Sequence, residues 1–358
     1  MNLSKPIAVV ILNWNGAAML RRFLPSVVAH SSAEAEVIVA DNGSTDDSLQ
    51  LLRNEFPTVR VLTLDRNYGF TGGYNRALAQ IDAKYLLLLN SDVEVTPAWL
   101  RPLLDYMDAH PEMAACQPKL RAQRRPEEFE YAGAAGGYLD RYGYPFCRGR
   151  VFSVIERDGG QYDDVRSVFW ATGAALMIRR ADWLSAGGLD ERFFAHMEEI
   201  DLCWRLNARG RKVVCIPQSV VYHVGGGTLA MEHPRKTFLN FRNNLLMLYK
   251  NLPAADLRPV MRRRRCLDYI AALKYLLTGH AANARAVVKA RREFKRLRPS
   301  FTAQREENLR RAVVQTIPQQ LSGSLLYLFY FKGCKRFDCL RRFFPALSLI
   351  HISEPTRL

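Results

Sequence analysis

The stretch YLLLLNSDVEV, residues 85–95, passes from five apolar residues to Asp92 and Glu94 within a few positions. A buried strand that delivers carboxylates to one spot can hold a divalent cation, and such a cation can neutralise a diphosphate. Three other apolar runs end in the same polar way. IAVVIL (7–12) is followed by NWNG (13–16), EVIVA (36–40) by DNGSTDD (41–47), and VRVLTL (59–64) by DRNYGFTGGYN (65–75). Asn, Asp and Gly also make ordinary turns, so turn chemistry explains any single tip. Four such tips in succession would line one crevice. Neither a GxGxxG after the first strand nor a GxxxxGK[ST] loop is present, which argues against a dinucleotide dehydrogenase and a P-loop NTPase. A nucleotide bound here would need another source of positive charge, and a carboxylate-held metal supplies one.

The elements that carry these tips alternate. Helical patterns at 17–29, 44–56 and 72–81 follow the first three runs, and one at 96–107 follows the fourth, with Thr96 as cap and Pro97 at its first position. Repeated βα units imply an α/β fold: a Rossmann-like, mostly parallel sheet flanked by helices. In such sheets ligands bind beyond the carboxyl ends of the strands, where these tips lie. Further on, the pattern predicts a strand at 114–120 and a loop or hairpin over the Gly/Tyr-rich 121–165. Strand, turn and strand follow over 167–180, then a helix at 198–210 and short strands at 212–217 and 219–227.

Charge divides the chain. The 358 residues carry a net +16, yet residues 231–358 hold 26 Lys/Arg against 8 Asp/Glu, so the whole basic excess lies in the last third. HPRKTFLNFRNNLLMLYKNL, RRRRCLDYIAALKYLLTG and SLLYLFYFKGCKRFDCLRRFF read as basic amphipathic helices, suited to an anionic membrane surface that they bind without spanning. An ordinary solvated basic face gives the same pattern. Nucleic acid is the rival partner, but no recognised nucleic-acid module occurs, and none is expected to bind. No stretch reaches the roughly 18 apolar residues of a membrane span, and the N-terminus does not read as a signal peptide. Seven scattered Cys, with no CxxC pair, predict idle thiols in a reducing compartment. The domain reading is 1–240 for the α/β unit, 241–346 for the basic helical region and 347–358 for an artefactual tail, since LSLIHISEPTRL fits neither pattern.

Seven motifs in order then carry a resemblance: VVILNWNG, VADNGSTDDS, RNYGFTGGYNRAL, LLLLNSDVEV, WATGAALMIRR, GGLDERFFAHMEEIDLCWRL and VYHVGGGT. Over about residues 5–250 the chain resembles the family 2 inverting glycosyltransferases. The subgroup is similar to the rhamnosyltransferase-like enzymes of bacterial surface polysaccharide assembly. The resemblance implies a GT-A fold, a nucleotide-sugar donor (dTDP- or UDP-linked), Mg²⁺ or Mn²⁺, and a saccharide or lipid-linked acceptor. It implies a cytoplasmic protein, peripheral at the inner face of the plasma membrane.

The resemblance also implies roles. NSD stands where the family has Asp-x-Asp, so Asp92 would ligate the metal. Asn90 replaces the first Asp and can offer a carbonyl oxygen but no charge. His223 would complete the metal site. Asp41 would contact the nucleotide base with Asn13 nearby, in a loop completed by Asn42, Gly43, Ser44 and Asp46. Asn67 and Gly69 would lie near the donor. Trp170, Thr172 and Gly173 match the segment beside the acceptor. The general base aligns with Glu199 of the Glu198–Glu199 pair, a Glu where the family has Asp, with Asp201 held in reserve. Acidic residues in a first helical turn are also favoured by the helix dipole alone. The best donor reading is dTDP-rhamnose. Alternatives are the same fold with UDP-galactofuranose or a UDP-hexose, and a non-catalytic protein that binds a sugar nucleotide or a polysaccharide.

Overall fold

The four apolar runs form the parallel half of the central sheet in the computed structural model, which describes residues 5–225 and 233–345. The 347–358 tail and the end of VYHVGGGT lie outside the described residues. In chain order, β1 (Ile7–Asn13), α1 (Ala17–Ser31), β2 (Ala35–Asp41), α2 (Ser48–Glu55), β3 (Arg60–Thr63), α3 (Gly69–Leu78) and β4 (Tyr85–Leu89) alternate. Then come β5 (Val93–Val95), α4 (Leu100–Ala109), β6 (Met113–Ala122) and β7 (Arg125–Phe129). The segment expected as a loop or hairpin adds β8 (Gly137–Asp140), β9 (Pro145–Cys147), β10 (Arg150–Val151) and β11 (Val154–Ile155). β12 (Arg166–Val168), β13 (Ala175–Arg179), α5 (Arg180–Ala186), α6 (Glu198–Ala208) and β14 (Lys212–His223) complete the region up to residue 225. After it come α7 (Pro234–Asn251), α8 (Ala254–Leu277), α9 (Ala281–Leu297), α10 (Thr302–Arg311), β15 (Gln320–Leu321), α11 (Leu325–Phe331) and α12 (Phe337–Leu340).

The main sheet runs β12-β14-β6-β13-β4-β1-β2-β3. β3, β2, β1 and β4 are mutually parallel, and β13 enters antiparallel between β4 and β6. The chain steps outward from β1 to β3 and then returns to the other side of β1. This reversal opens the crevice that such sheets offer to ligands. β4 is buried throughout, and its side chains alternate between two cores: Leu86 and Leu88 face one, Tyr85, Leu87 and Leu89 the other. Each buried Leu stabilises the sheet by about 1.5–3 kcal/mol. β8 to β11 and β15 form a second sheet, so the basic C-terminal region contributes a strand to it.

Some local expectations are corrected. Thr96 does not cap α4; its hydroxyl donates to the Val220 carbonyl (2.8 Å), and the helix begins at Leu100. The strands expected at 212–217 and 219–227 are one strand, β14, with a register shift between Ile216 and Val220. The amphipathic helix expected near the C-terminus breaks into α11 and α12 at Gly333, whose φ is +66°. Across that break Cys334 and Cys339 are joined as a disulfide, against the reading of all seven Cys as idle thiols. Cys116, Cys147, Cys203 and Cys215 are buried free thiols, and Cys266 is exposed.

The basic helices are bound tightly to the rest. Lys250 of α7 is fully buried and reaches Asp190 and Asp201, each at 2.8 Å. Burial would raise the Asp190 carboxyl, but Arg192 and Lys250 outweigh that and hold it far below the ordinary range. Lys250→Met leaves both carboxylates short of a cation, with Arg192 and Arg205 still in place. The expected loss is about 3 kcal/mol, the low end for breaking a buried pair. Urea unfolding checks this, and a loss below about 1 kcal/mol would contradict it.

Candidate active site

Pairing in the sheet sets the metal side of the crevice. β5 pairs antiparallel with the end of β14, placing His223 opposite Val93. Asp92, one residue earlier, therefore meets the imidazole: Oδ1 lies 3.1 Å from His223 Nε2, and Asn90 Nδ2 lies 3.4 Å from the same nitrogen. Glu94 points elsewhere and accepts from the Gln123 amide. On the far side of the ring, Glu130 Oε1 stands 3.3 Å from Nδ1. Burial lowers the His223 pKa, but Asp92 and Glu130 overcome this and push it up to about 10. Burial likewise raises Asp92, and His223 more than reverses it.

The imidazolium is therefore the positive charge of this cluster. Among the described residues, no three His, Cys, Asp or Glu side chains form a ready-made cation cage. What Asp92 and His223 do offer is a carboxylate oxygen and an imidazole nitrogen around one point, with the Asn90 amide beside them. That set fits a divalent cation whose other ligands are water and diphosphate oxygens. Glu130 sits where the partner of a metal-ligating imidazole belongs. Sequence reading missed Glu130, because 93 residues separate it from His223 and no spacing rule links them.

The tips expected to meet a nucleotide are held by their own polar side chains. Asn13 Nδ2 donates to Asp41 Oδ1 (3.1 Å) and lies 3.2 Å from Ser44 Oγ, while the Ser44 N–H donates to Asp41 Oδ2 (3.0 Å). Asp41 is fully buried. Asn13 Oδ1 is buried and without a partner. Asp46 accepts from the N–H groups of Ala17 and Ser48, which is why α2 starts at Ser48 rather than at 44. Asn42 ties the next tip down: its Nδ2 donates to Asn67 Oδ1 (3.1 Å) and the Gly69 carbonyl (3.0 Å). Gly43 has φ +72°, and a Cβ there would stand 2.5 Å from the Arg66 backbone, so only glycine fits.

Hydrogen bonds and packing join the two sides to the acidic pair. The Asn90 N–H donates to the Ala174 carbonyl (2.9 Å). A Cβ on Gly173 would stand 3.3 Å from the Phe70 ring and 3.8 Å from Glu199 Cβ. The Phe70 N–H donates to the Phe194 carbonyl (3.0 Å), in the loop that leads into α6. Glu198 and Glu199 open that helix, and the Oε2 of each is buried without a hydrogen-bond partner. Burial, then the neighbouring Glu199 charge, raises Glu198 well above the ordinary range. Burial raises Glu199 to about 7. One carboxyl of the pair thus keeps its proton at neutral pH while the other ionises there, the division of labour that acid–base chemistry uses.

Three expected residues stand elsewhere. Asp201 is fully buried on α6, bonded to Arg205, Lys250 and Asn251. The Trp170 indole is also buried in the core: it donates to the Tyr138 carbonyl (2.9 Å) and packs on Gly137. Thr172 is buried in a turn whose N–H donates to Gln117. Of that segment, Gly173 borders Glu199.

Residues 8–181 match the family model described as glycosyl transferase family 2. The chain carries a glycosyl transferase family 2 domain. This glycosyltransferase is 29% identical over 231 residues to the N-acetylglucosaminyl-diphospho-decaprenol L-rhamnosyltransferase of Mycobacterium tuberculosis, covering 61% of this chain and 75% of that one. It is 24% identical over 194 residues to rhamnosyltransferase WbbL of Escherichia coli, covering 52% and 70%. Among solved structures it resembles GalNAc-T7 with UDP, GalNAc and Mn²⁺ (TM-score 0.54, 16% identity, 70% of this chain and 48% of that one). It also resembles the mannosyltransferase PcManGT of Pyrobaculum calidifontis with GDP-Man and Mn²⁺ (TM-score 0.51, 12% identity, 88% of each). These likenesses establish the GT-A fold of the glycosyltransferase.

Proposed function

We propose that the chain is an inverting, metal-dependent glycosyltransferase of cell-surface polysaccharide synthesis. It moves rhamnose from dTDP-rhamnose to a saccharide on a lipid diphosphate. Relatives named as rhamnosyltransferases, one acting on a decaprenyl diphosphate sugar, support the donor and acceptor classes. The observation that carries the chemistry is Glu199, a half-buried carboxylate with an unpartnered oxygen, raised to about 7 and bordered by Gly173.

In this reading Glu199 takes the proton of the acceptor hydroxyl as that oxygen attacks the anomeric carbon. The bond from that carbon to the nucleoside diphosphate breaks, and its electron pair leaves with the diphosphate. Inversion follows from attack opposite the leaving group. Asp92, His223 and Asn90 would hold Mg²⁺ or Mn²⁺, which when bound supplies positive charge to the diphosphate. Asn13, Asp41, Asn42, Gly43, Ser44, Asp46, Asn67 and Gly69 shape the nucleotide pocket. A positioned general base contributes about 10²–10⁴-fold. Glu199→Gln is therefore expected to lower kcat by about two to four orders of magnitude while donor binding persists. Transfer by the unaltered protein should fall about tenfold per pH unit below about 7, because Glu199 acts only when ionised. A pH-independent rate between 5 and 8, or full activity of the variant, would overturn the assignment.

The proposal extends to a membrane surface, with the α/β unit at 1–240 and the helical region at 241–346 as its two parts. No helix among the described residues is long and apolar enough to cross a bilayer. α8 nevertheless exposes Tyr269, Ile270, Leu273, Leu276 and Leu277 on successive turns, and α11 exposes Tyr327, Tyr330 and Phe331. Arg262, Arg263, Lys274, Lys332 and Lys335 are exposed close by in sequence. Apolar ridges flanked by cations suit the anionic inner leaflet of a plasma membrane. Because β15, α11 and α12 pack into the body of the protein, point changes test this better than truncation. Ile270→Glu, Leu273→Glu and Leu277→Glu together should abolish flotation with phosphatidylglycerol vesicles; undiminished flotation would refute it.

A further inference from the structure

The segment that delivers Glu198 and Glu199 adopts backbone angles its residues do not favour. Phe194, His196 and Met197 have φ of 66°, 72° and 73°, and none is glycine. Such residues cost on the order of 1–3 kcal/mol each and persist only where the surroundings hold them. No side chain caps α6, since its N-cap is Met197. The restraint comes instead from α7.

Asn243 of α7 is fully buried. Its Nδ2 lies 2.9 Å from the Phe193 carbonyl oxygen, 2.8 Å from that of Ala195 and 2.8 Å from that of His196. Its Oδ1 accepts from Arg242 Nε (2.9 Å), so the amide has one orientation: carbonyl to the guanidinium, NH₂ to the loop. Arg242 adds donors to the Arg192 and Phe193 carbonyls (3.2 and 3.0 Å). Seven and eight residues along, on the same face of the helix, Lys250 grips Asp190 and Asp201, and Asn251 grips Asp201 (2.8 Å). One face of α7 thus holds the segment 190–201 on both sides of the acidic pair.

We infer that Asn243 is a positioning residue for Glu199: by gathering three loop carbonyls it fixes the strained entry to α6 and hence the place of the carboxylate. This rests on Glu199 being the base. Asn243 touches neither the donor pocket nor the metal-side residues, so its loss should spare donor binding and reduce turnover.

The test uses the full chain with Asn243→Ala and with the near-isosteric Asn243→Asp, which turns an acceptor toward the three carbonyls. Hydrogen exchange needs no acceptor. Amides of residues 194–200 should exchange at least tenfold faster in each folded variant, with those of β1, β2 and β4 unchanged. Unaltered exchange at 194–200 would overturn the inference. Kinetics with dTDP-rhamnose and a prenyl diphosphate N-acetylglucosamine acceptor give the second readout. kcat should fall at least tenfold with donor Kd within twofold, and adding Asn243→Ala to Glu199→Gln should cost less than twofold more, since residues acting through one group are not additive. Full additivity would make Asn243 merely structural. If Glu199→Gln itself transfers normally, the base assignment is what fails. If Glu199→Gln is inactive and Asn243→Ala keeps its kcat, the inference alone fails.

Discussion

Two adjacent carboxyl side chains, Glu198 and Glu199, are buried at the start of one helix without a cation between them. Desolvation and mutual repulsion both oppose this, and both act to keep a proton on the pair near neutral pH. Much of the surrounding architecture follows from that constraint. The pair cannot drift toward solvent, because the loop before it is held by Asn243 and the turn after it by Arg205, Lys250 and Asn251. The basic third of the chain therefore serves the α/β unit directly. Its cations and amides supply the counter-charge and hydrogen bonds that the acidic segment 190–201 needs, and only part of its charge faces solvent.

The metal side solves the opposite problem. There Asp92 and Glu130 are brought together by strand pairing and held by one imidazolium. A divalent cation held there would displace that proton and bring one positive charge more, which a diphosphate would offset. The antiparallel strand β13 joins the two halves: its preceding turn bonds Asn90 through Ala174 and runs beside Glu199 at Gly173. A sheet that stayed parallel throughout would place neither.

The parallel half of the fold was legible because β1 to β4 are continuous apolar runs buried on both faces, each ending in a polar tip. The closeness of Asp92 and His223 was legible only through the ordered motifs, since the two are 131 residues apart. The burial of Trp170, Thr172 and Asp201 was not legible, for a physical reason. Sequence shows residue type and order but not which face of a turn or helix is turned inward, and all three point into the core. Glu130 and Asn243 left no signal at all, because their importance lies in contacts with residues far away in sequence. The break between α11 and α12 was foreshadowed by Gly333 but masked by the aromatic run around it, and the Cys334–Cys339 link was hidden by the odd, scattered cysteines.

The central claim is that this crevice binds a nucleoside diphosphate through a divalent cation. Thermal unfolding with dTDP, UDP or GDP, each with Mn²⁺, Mg²⁺ or EDTA, tests it most directly, because a ligand of the folded state raises the melting temperature as its concentration exceeds Kd. The account predicts a rise with one nucleotide that vanishes in EDTA and in Asp92→Ala, with dTDP pointing to rhamnose. No rise with any nucleotide in either metal, or a rise indifferent to EDTA, would contradict it.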